Sequence, residues 1–207
     1  MASHHTTHPA DRRVPTSVIA ALVVAIAALL MLFLSQAFAV STPATSMGVA
    51  APREPQGVGD DPSRVPDGTT VFDDVPAVTK LDPRLLAALR DAATDARREG
   101  ITFTVNSGWR SREYQDKLLR EAVSQYGSKA EAARWVATAD TSPHVSGDAV
   151  DIGSLDATIW LSQHGAAYGL CQIYANERWH YELRPQAVGH GCPQMYADPT
   201  RDPRMAH

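Results

Sequence analysis

The chain has 207 residues, 44% of them hydrophobic and 20% charged, with 19 Lys+Arg against 23 Asp+Glu and a formal net charge of −4. That composition is ordinary for a globular protein and forces no disordered, collagen-like or repeat reading, and the length leaves room for one domain or at most two small ones, one being the working number. From Thr70 onward the balance is 15 Lys+Arg against 18 Asp+Glu, which argues against a nucleic-acid partner, because phosphate binding relies on concentrated Lys and Arg.

Residues 1–17 read as a cytoplasmic tail, in which His4, His5 and His8 are conceivable as a metal site but are favoured as solvated side chains. Val18–Leu34 then runs for 17 residues without a charged or polar side chain, and Arg12-Arg13 precede it. This is an export signal. A bilayer-spanning helix takes roughly 17–25 residues and a signal-peptide core roughly 7–15, so residues 18–40 read as a transmembrane signal-anchor. A cleaved signal peptide ending at Ala37-Phe38-Ala39, which would leave a secreted product, is the alternative. By the positive-inside rule the arginines stay in the cytoplasm and everything after the span lies outside. Residues 41–69, rich in Pro, Gly, Ser and Asp with no apolar period, are expected to be a flexible linker.

Residues 70–207 are expected to form the functional domain. Asp82 as N-cap, Pro83 at the first helical position and Gly100 past the end bracket a helix, with Leu85, Leu86, Leu89, Ala93 and Ala96 as its apolar stripe. Ile101–Val105 alternates β-formers and predicts a strand ending at the turn Asn106-Ser107-Gly108. Helices follow over 111–126, with Ser111 available as cap, and over 129–137, separated at Gly127-Ser128. Ala149–Ile152 reads as a short buried strand, 156–168 as a helix stopped at Gly169, and 171–174 and 179–183 as two strands. Helices and strands mix without βαβ alternation, which predicts an α+β fold with a small mixed or antiparallel sheet and flanking helices. Cys171 and Cys192 both follow the apolar span, and outside the cytoplasm a disulfide between them is favoured over two buried thiols.

The chemistry concentrates in Ser142-Pro143-His144-Val145-Ser146-Gly147-Asp148-Ala149-Val150-Asp151 and in Glu177-Arg178-Trp179-His180. The first stretch offers an imidazole and a carboxylate with Gly147 between them to permit a tight turn. The second adds another imidazole and a nearby carboxylate. Two His and one Asp on a zinc ion leave a fourth position open, which separates a catalytic site from a closed structural one. Taken singly, each residue has an ordinary structural explanation, a loop cap or a satisfied strand histidine.

Taken together they resemble the LAS metallopeptidases, specifically the VanY-type D-alanyl-D-alanine carboxypeptidases and their VanX-like dipeptidase relatives. The pattern S-x-H-x-x-G-x-A-x-D is met by Ser142, His144, Gly147, Ala149 and Asp151, and E-x-W-H by Glu177, Trp179 and His180. Ser107-Gly108-Trp109-Arg110-Ser111, followed by Tyr114-Gln115, is similar to the family's S-G-Y-R-S and downstream Tyr-Gln. The resemblance implies one zinc ion per chain on His144, Asp151 and His180, Glu177 as general base, and Arg110 polarising the scissile carbonyl. It further implies substrate contacts from Ser142, Gln115, Arg110 and Trp109, the last standing where the family has Tyr. Glu182, two residues after His180, competes with Glu177 for the metal side and is read as a supporting residue.

The expected function is a zinc-dependent D-alanyl-D-alanine carboxypeptidase acting as a monomer on peptidoglycan stem peptides, held to the membrane by its N-terminal helix. The alternatives are an endopeptidase of the same family and a catalytically silent, zinc-containing wall-binding domain.

Overall fold

The computed structural model describes residues 61–205. The expected tail 1–17, the apolar segment 18–40 and most of the linker 41–69 lie outside the described residues. Among the described residues no helix is long and apolar enough to cross a membrane.

Four strands form one antiparallel sheet in the order β1-β2-β4-β3, with β1 at Thr104–Ser107, β2 at Ala149–Gly153, β3 at Leu170–Gln172 and β4 at His180–Leu183. The helices are α1 (Pro76–Thr79), α2 (Pro83–Arg98), α3 (Arg112–Tyr126), α4 (Lys129–Ala132), α5 (Pro143–Ser146) and α6 (Leu155–His164). Short 3-10 turns follow α6 and punctuate the chain after β4. This is the expected α+β class with an antiparallel sheet.

The helix starts follow from local chemistry. Asp82 accepts hydrogen bonds from the Arg84 and Leu85 amides, capping α2 behind Pro83. Ser111 accepts from the Tyr114 amide at 3.0 Å and caps α3. Such caps contribute about 0.5–2 kcal/mol each. Along α2 the buried residues are Leu85, Leu89, Ala92, Ala93 and Ala96, so the expected stripe faces the core, with Leu86 packed at its margin. They meet Val150, Ile152 and Tyr181 of the sheet and Trp160 and Leu161 of α6 in the main core. Because side chains alternate along a strand, Asp151 and His180 are turned to the opposite face, away from that core.

Several boundaries differ from the sequence expectation, each for a tertiary reason. The first strand was expected over 101–105 and lies at 104–107. Ile101 is drawn back onto the end of α2, its amide donating to the Ala96 carbonyl, while a bulge at Asn106 carries the ladder through to Ser107. The helix expected over 129–137 stops at Ala132, where Trp135 folds back to stack on Tyr126 with ring centroids 5.9 Å apart. The helix expected over 156–168 tightens into a 3-10 turn from Gly165 before ending at Gly169, which has φ +73. The strand expected over 171–174 ends at Gln172, although Tyr174 still bridges to Tyr196.

The end of the expected linker is tied to the domain. Asp61 accepts from the Ser63 amide and from the Ser111 hydroxyl at 2.9 Å, Ser63 is buried, and the Thr69 carbonyl accepts from the Val105 amide at 2.8 Å. The Pro, Asp and Ser that made this segment look solvated are satisfied here in tight turns.

Cys171 and Cys192 form a disulfide, so the reading as free thiols is set aside. It closes a loop carrying β4, and such a closure stabilises by about 2–4 kcal/mol. Beside it Ile173, Tyr174 and Ala187 build a second small core with Tyr196 and Met205.

Candidate active site

The central strand β2 is buried along its whole length, and the ladder sets Asp151 directly opposite His180 on β4 and Ser107 on β1. Register alone thus brings three parts of the sequence to one point. His144 arrives from α5. Gly147 ends that helix with φ +81, and a Cβ there would lie 2.6 Å from the Lys80 carbonyl, so only glycine fits the turn that leads from His144 to β2.

His144, Asp151 and His180 are all buried, and their ligand atoms lie within 4.8 Å of one another. Each imidazole is aimed by a partner on its other nitrogen. His144 Nδ1 donates to the Gly108 carbonyl at 2.8 Å, leaving Nε2 turned to Asp151 Oδ1 at 3.4 Å. His180 Nε2 donates to Glu182 Oε1 at 3.1 Å, leaving Nδ1 also 3.4 Å from Asp151 Oδ1. Among the described residues Asp151 Oδ1 and His180 Nδ1 are buried without a hydrogen-bond partner, an expensive condition for polar atoms in a folded interior. A tetrahedral site with bonds of about 2.0–2.1 Å has edges of about 3.3–3.4 Å. The two imidazole-to-carboxylate separations of 3.4 Å match that edge, and with all three ligand atoms within 4.8 Å of one another the donor set suits a zinc-type cation.

The electrostatics point the same way. Burial opposes charge on Asp151, but His144, His180 and Arg110 together hold its carboxyl well below the usual carboxylate range. Burial, with Arg110, lowers His144, against the opposing pull of Asp151. Burial would also lower His180, yet Asp151, Glu182 and Glu177 outweigh it and carry the imidazole up to about 10. Positive charge is therefore favoured at His180 Nδ1, and a metal cation satisfies that demand by displacing the proton.

Glu177 precedes β4 in a turn closed by the His180 amide donating to the Glu177 carbonyl at 3.1 Å. Its Oε2 lies 3.7 Å from His180 Nδ1, and its Oε1 is buried without a partner. Burial pushes its carboxyl up to about 7, with Asp151 adding to the rise and His180 and Arg110 opposing it. Glu182 lies on the other side of the imidazole and is absent from the cleft wall. The two glutamates thus face opposite nitrogens of His180, and only Glu177 faces the side where a cation and substrate would meet.

Arg110 sits on the strand-to-helix turn expected for it. Nη2 donates to Asp151 Oδ2 at 3.0 Å, Nη1 to Gln115 Oε1 at 3.2 Å and Nε to Ser107 Oγ at 2.8 Å. Five N–H donors with three engaged leave two for a ligand. Gln115 is fully buried and spends its amide on Arg110 and the Ala137 carbonyl, so it aims Arg110. Ser142 lines the cleft and makes no capping bond of its own. Trp109, the remaining expected substrate contact, carries Lys80 against its ring, with Nζ 3.8 Å from the ring centroid. His164 packs against Trp160 and His190 Nδ1 meets the Val188 carbonyl of its own loop.

The cleft holding these groups has a volume of about 1090 Å³. Its walls include residues 64–68, Tyr126 and Trp135, Tyr174 and Met205. No motif or spacing marked these positions, because they reach the site only through tertiary packing.

A family model described as VanY, D-alanyl-D-alanine carboxypeptidase, matches residues 78–186. A D-alanyl-D-alanine carboxypeptidase of Enterococcus faecalis (strain ATCC 700802 / V583) is 32% identical over 127 residues, covering 49% of this chain and 47% of that protein. The chain thus spans about half the length of this curated relative. Among solved structures, VanYB in complex with D-alanine-D-alanine is 30% identical, with a TM-score of 0.49 over 52% of this chain and 75% of the other. A mutant VanY D,D-pentapeptidase of a VanB-type vancomycin resistance cassette, in complex with Zn(II), is also 30% identical, with a TM-score of 0.47 over 50% and 72%.

Proposed function

Because the chain belongs to the VanY family of D-alanyl-D-alanine carboxypeptidases, we propose that it is a zinc-dependent carboxypeptidase that removes the terminal D-alanine of peptidoglycan stem peptides. One observation carries the reading. His144 Nε2, Asp151 Oδ1 and His180 Nδ1 converge in the cleft with no protein group satisfying the carboxylate oxygen or the His180 nitrogen, and Glu177 faces the same point.

His144, Asp151 and His180 would hold the metal, and zinc supplies Lewis acidity, polarising a carbonyl and lowering the pKa of water toward neutrality. The protein's own groups do the rest. With its carboxyl raised by burial, Glu177 is suited to take a proton near neutral pH and return it to the departing amine. Arg110, fixed by three hydrogen bonds, presents its remaining N–H groups to the carbonyl oxygen as charge builds there. Ser142, which lines the cleft and caps nothing, would bind the terminal carboxylate.

The test is product analysis by mass spectrometry on defined stem peptides ending in D-Ala-D-Ala. The expected product is the peptide shortened by a single alanine, formed only when zinc is present. Fragments cut within the stem would assign an endopeptidase, and intact peptide in the presence of zinc-loaded protein would assign a silent domain.

The proposed place of action is outside the cytoplasm, with the protein tethered by the apolar run Val18–Leu34 behind Arg12-Arg13. A protease added to intact cells should then remove the domain and spare the residues before Val18. A domain protected from that protease would refute export, and a mature product starting at Val40 would replace the tether by a cleaved signal.

A further inference from the structure

We infer that Arg204 is a positioning residue for His180, acting through Glu182 to hold the imidazole in its metal-binding tautomer. The inference rests on the reading of His144, Asp151 and His180 as zinc ligands. It concerns the chain after β4, beyond the residues on which the family match stands.

Glu182 is buried and has four donors around its carboxylate. Oε1 accepts from His180 Nε2 at 3.1 Å and from Arg204 Nη2 at 3.2 Å, while Oε2 accepts from Arg204 Nη1 and Arg184 Nη2, both at 2.7 Å. Arg184 touches one oxygen and Arg204 grips both. A two-point guanidinium contact fixes the plane of a carboxylate, whereas a one-point contact lets it turn. Arg204 is thus the group that keeps Oε1 directed at His180 Nε2.

Arg204 is itself held. Its Nε lies 3.0 Å from both Asp202 oxygens, its Nη2 also bonds Asp202 Oδ2, and that oxygen accepts from the Tyr174 hydroxyl at 3.0 Å. The Tyr174 ring lies 5.0 Å from the His180 ring, between centroids. The chain from Asp202 to Met205 therefore braces the imidazole from two sides. Hydrogen-bond partners of ligating imidazoles set their orientation and basicity, and losing one typically costs about 10–100-fold in metal affinity. Without Arg204 the Glu182 carboxylate is free to rotate toward Arg184, and His180 Nε2 loses the acceptor that assigns its proton.

The experiment measures zinc affinity by competition with a chelating indicator, on the full chain and its Arg204→Gln and Arg204→Lys variants, together with thermal unfolding of the metal-free forms. Stoichiometric zinc binding by the unchanged protein is read first, and its absence would sink the metal reading by itself. Given that binding, Arg204→Gln should lose about 10–100-fold in zinc affinity. Arg204→Lys, which keeps the charge without the fork, should fall between it and the unchanged protein. A fall in thermal stability with zinc affinity unchanged would show that Arg204 only fastens the chain end, and would overturn the inference. Should Arg204→Gln fail to fold, Arg204→Lys decides alone: reduced zinc affinity supports the two-point grip, and undiminished affinity refutes it.

Discussion

Glu177→Gln should lower kcat on D-Ala-D-Ala stem peptides by about 10²–10⁴-fold, the usual cost of removing a general base, while zinc content and KM change little. The substitution keeps size and shape and removes only the ability to take a proton. Because Glu177 is not among the three converging ligands, the metal should stay. The pH profile adds a second readout. Burial raises the Glu177 carboxyl to about 7 in the metal-free protein, and a dication held by its neighbours draws that value down. The base form exists above its pKa, so activity of the unchanged enzyme should fall as pH drops through an acidic limb that reports Glu177 coupled to its neighbours. That limb should vanish from the residual activity of the glutamine variant. Near-normal turnover by Glu177→Gln, with loss of turnover by Glu182→Gln at full zinc content, would transfer the base role to Glu182.

His180→Ala should abolish stoichiometric zinc binding and cost about 10³–10⁴-fold or more in kcat/KM, since the metal contributes several kcal/mol of transition-state stabilisation. Two remaining protein ligands rarely hold zinc tightly at neutral pH, and the variant would leave Asp151 and Glu177 buried side by side without the imidazole between them. His144→Ala should lose the metal likewise, freeing the Gly108 carbonyl it now engages. Metal analysis of each purified variant beside the unchanged protein checks this directly. Zinc retained at one per chain by His180→Ala would place the metal elsewhere.

Much of the candidate site was legible because short-range chemistry is written locally. The Asp82 and Ser111 caps, the apolar stripe of α2 and the Gly147 turn depend on residues within a few positions of one another, and each appears where the spacing predicts it. The candidate ligand set was legible in motifs whose order is fixed along the chain. Strand limits were less legible. Asn106 and Ser107 look like turn residues, yet a bulge at Asn106 lets Ser107 rejoin the ladder opposite Asp151, a choice made by the partner strand.

What the sequence by itself determined is the inventory: an α+β chain, an apolar run before it, two cysteines able to pair, and a His/Asp/His set with a glutamate and an arginine. Tertiary structure alone decided how that inventory is used. The antiparallel register puts Asp151 opposite His180, and the turn before β4 sends Glu177 and Glu182 to opposite nitrogens of one imidazole. Packing sets Lys80 against the Trp109 ring, and the end of a polar stretch that reads as linker is bonded to the domain through Asp61 and Ser111. The physical reason is that propensity and capping act over a few residues, whereas register, burial and the pairing of buried charges depend on residues far apart in sequence. Arg204, 22 positions from Glu182, is such a case: nothing near it in the chain signals a role, and only the fold sets its guanidinium against both oxygens of a buried carboxylate.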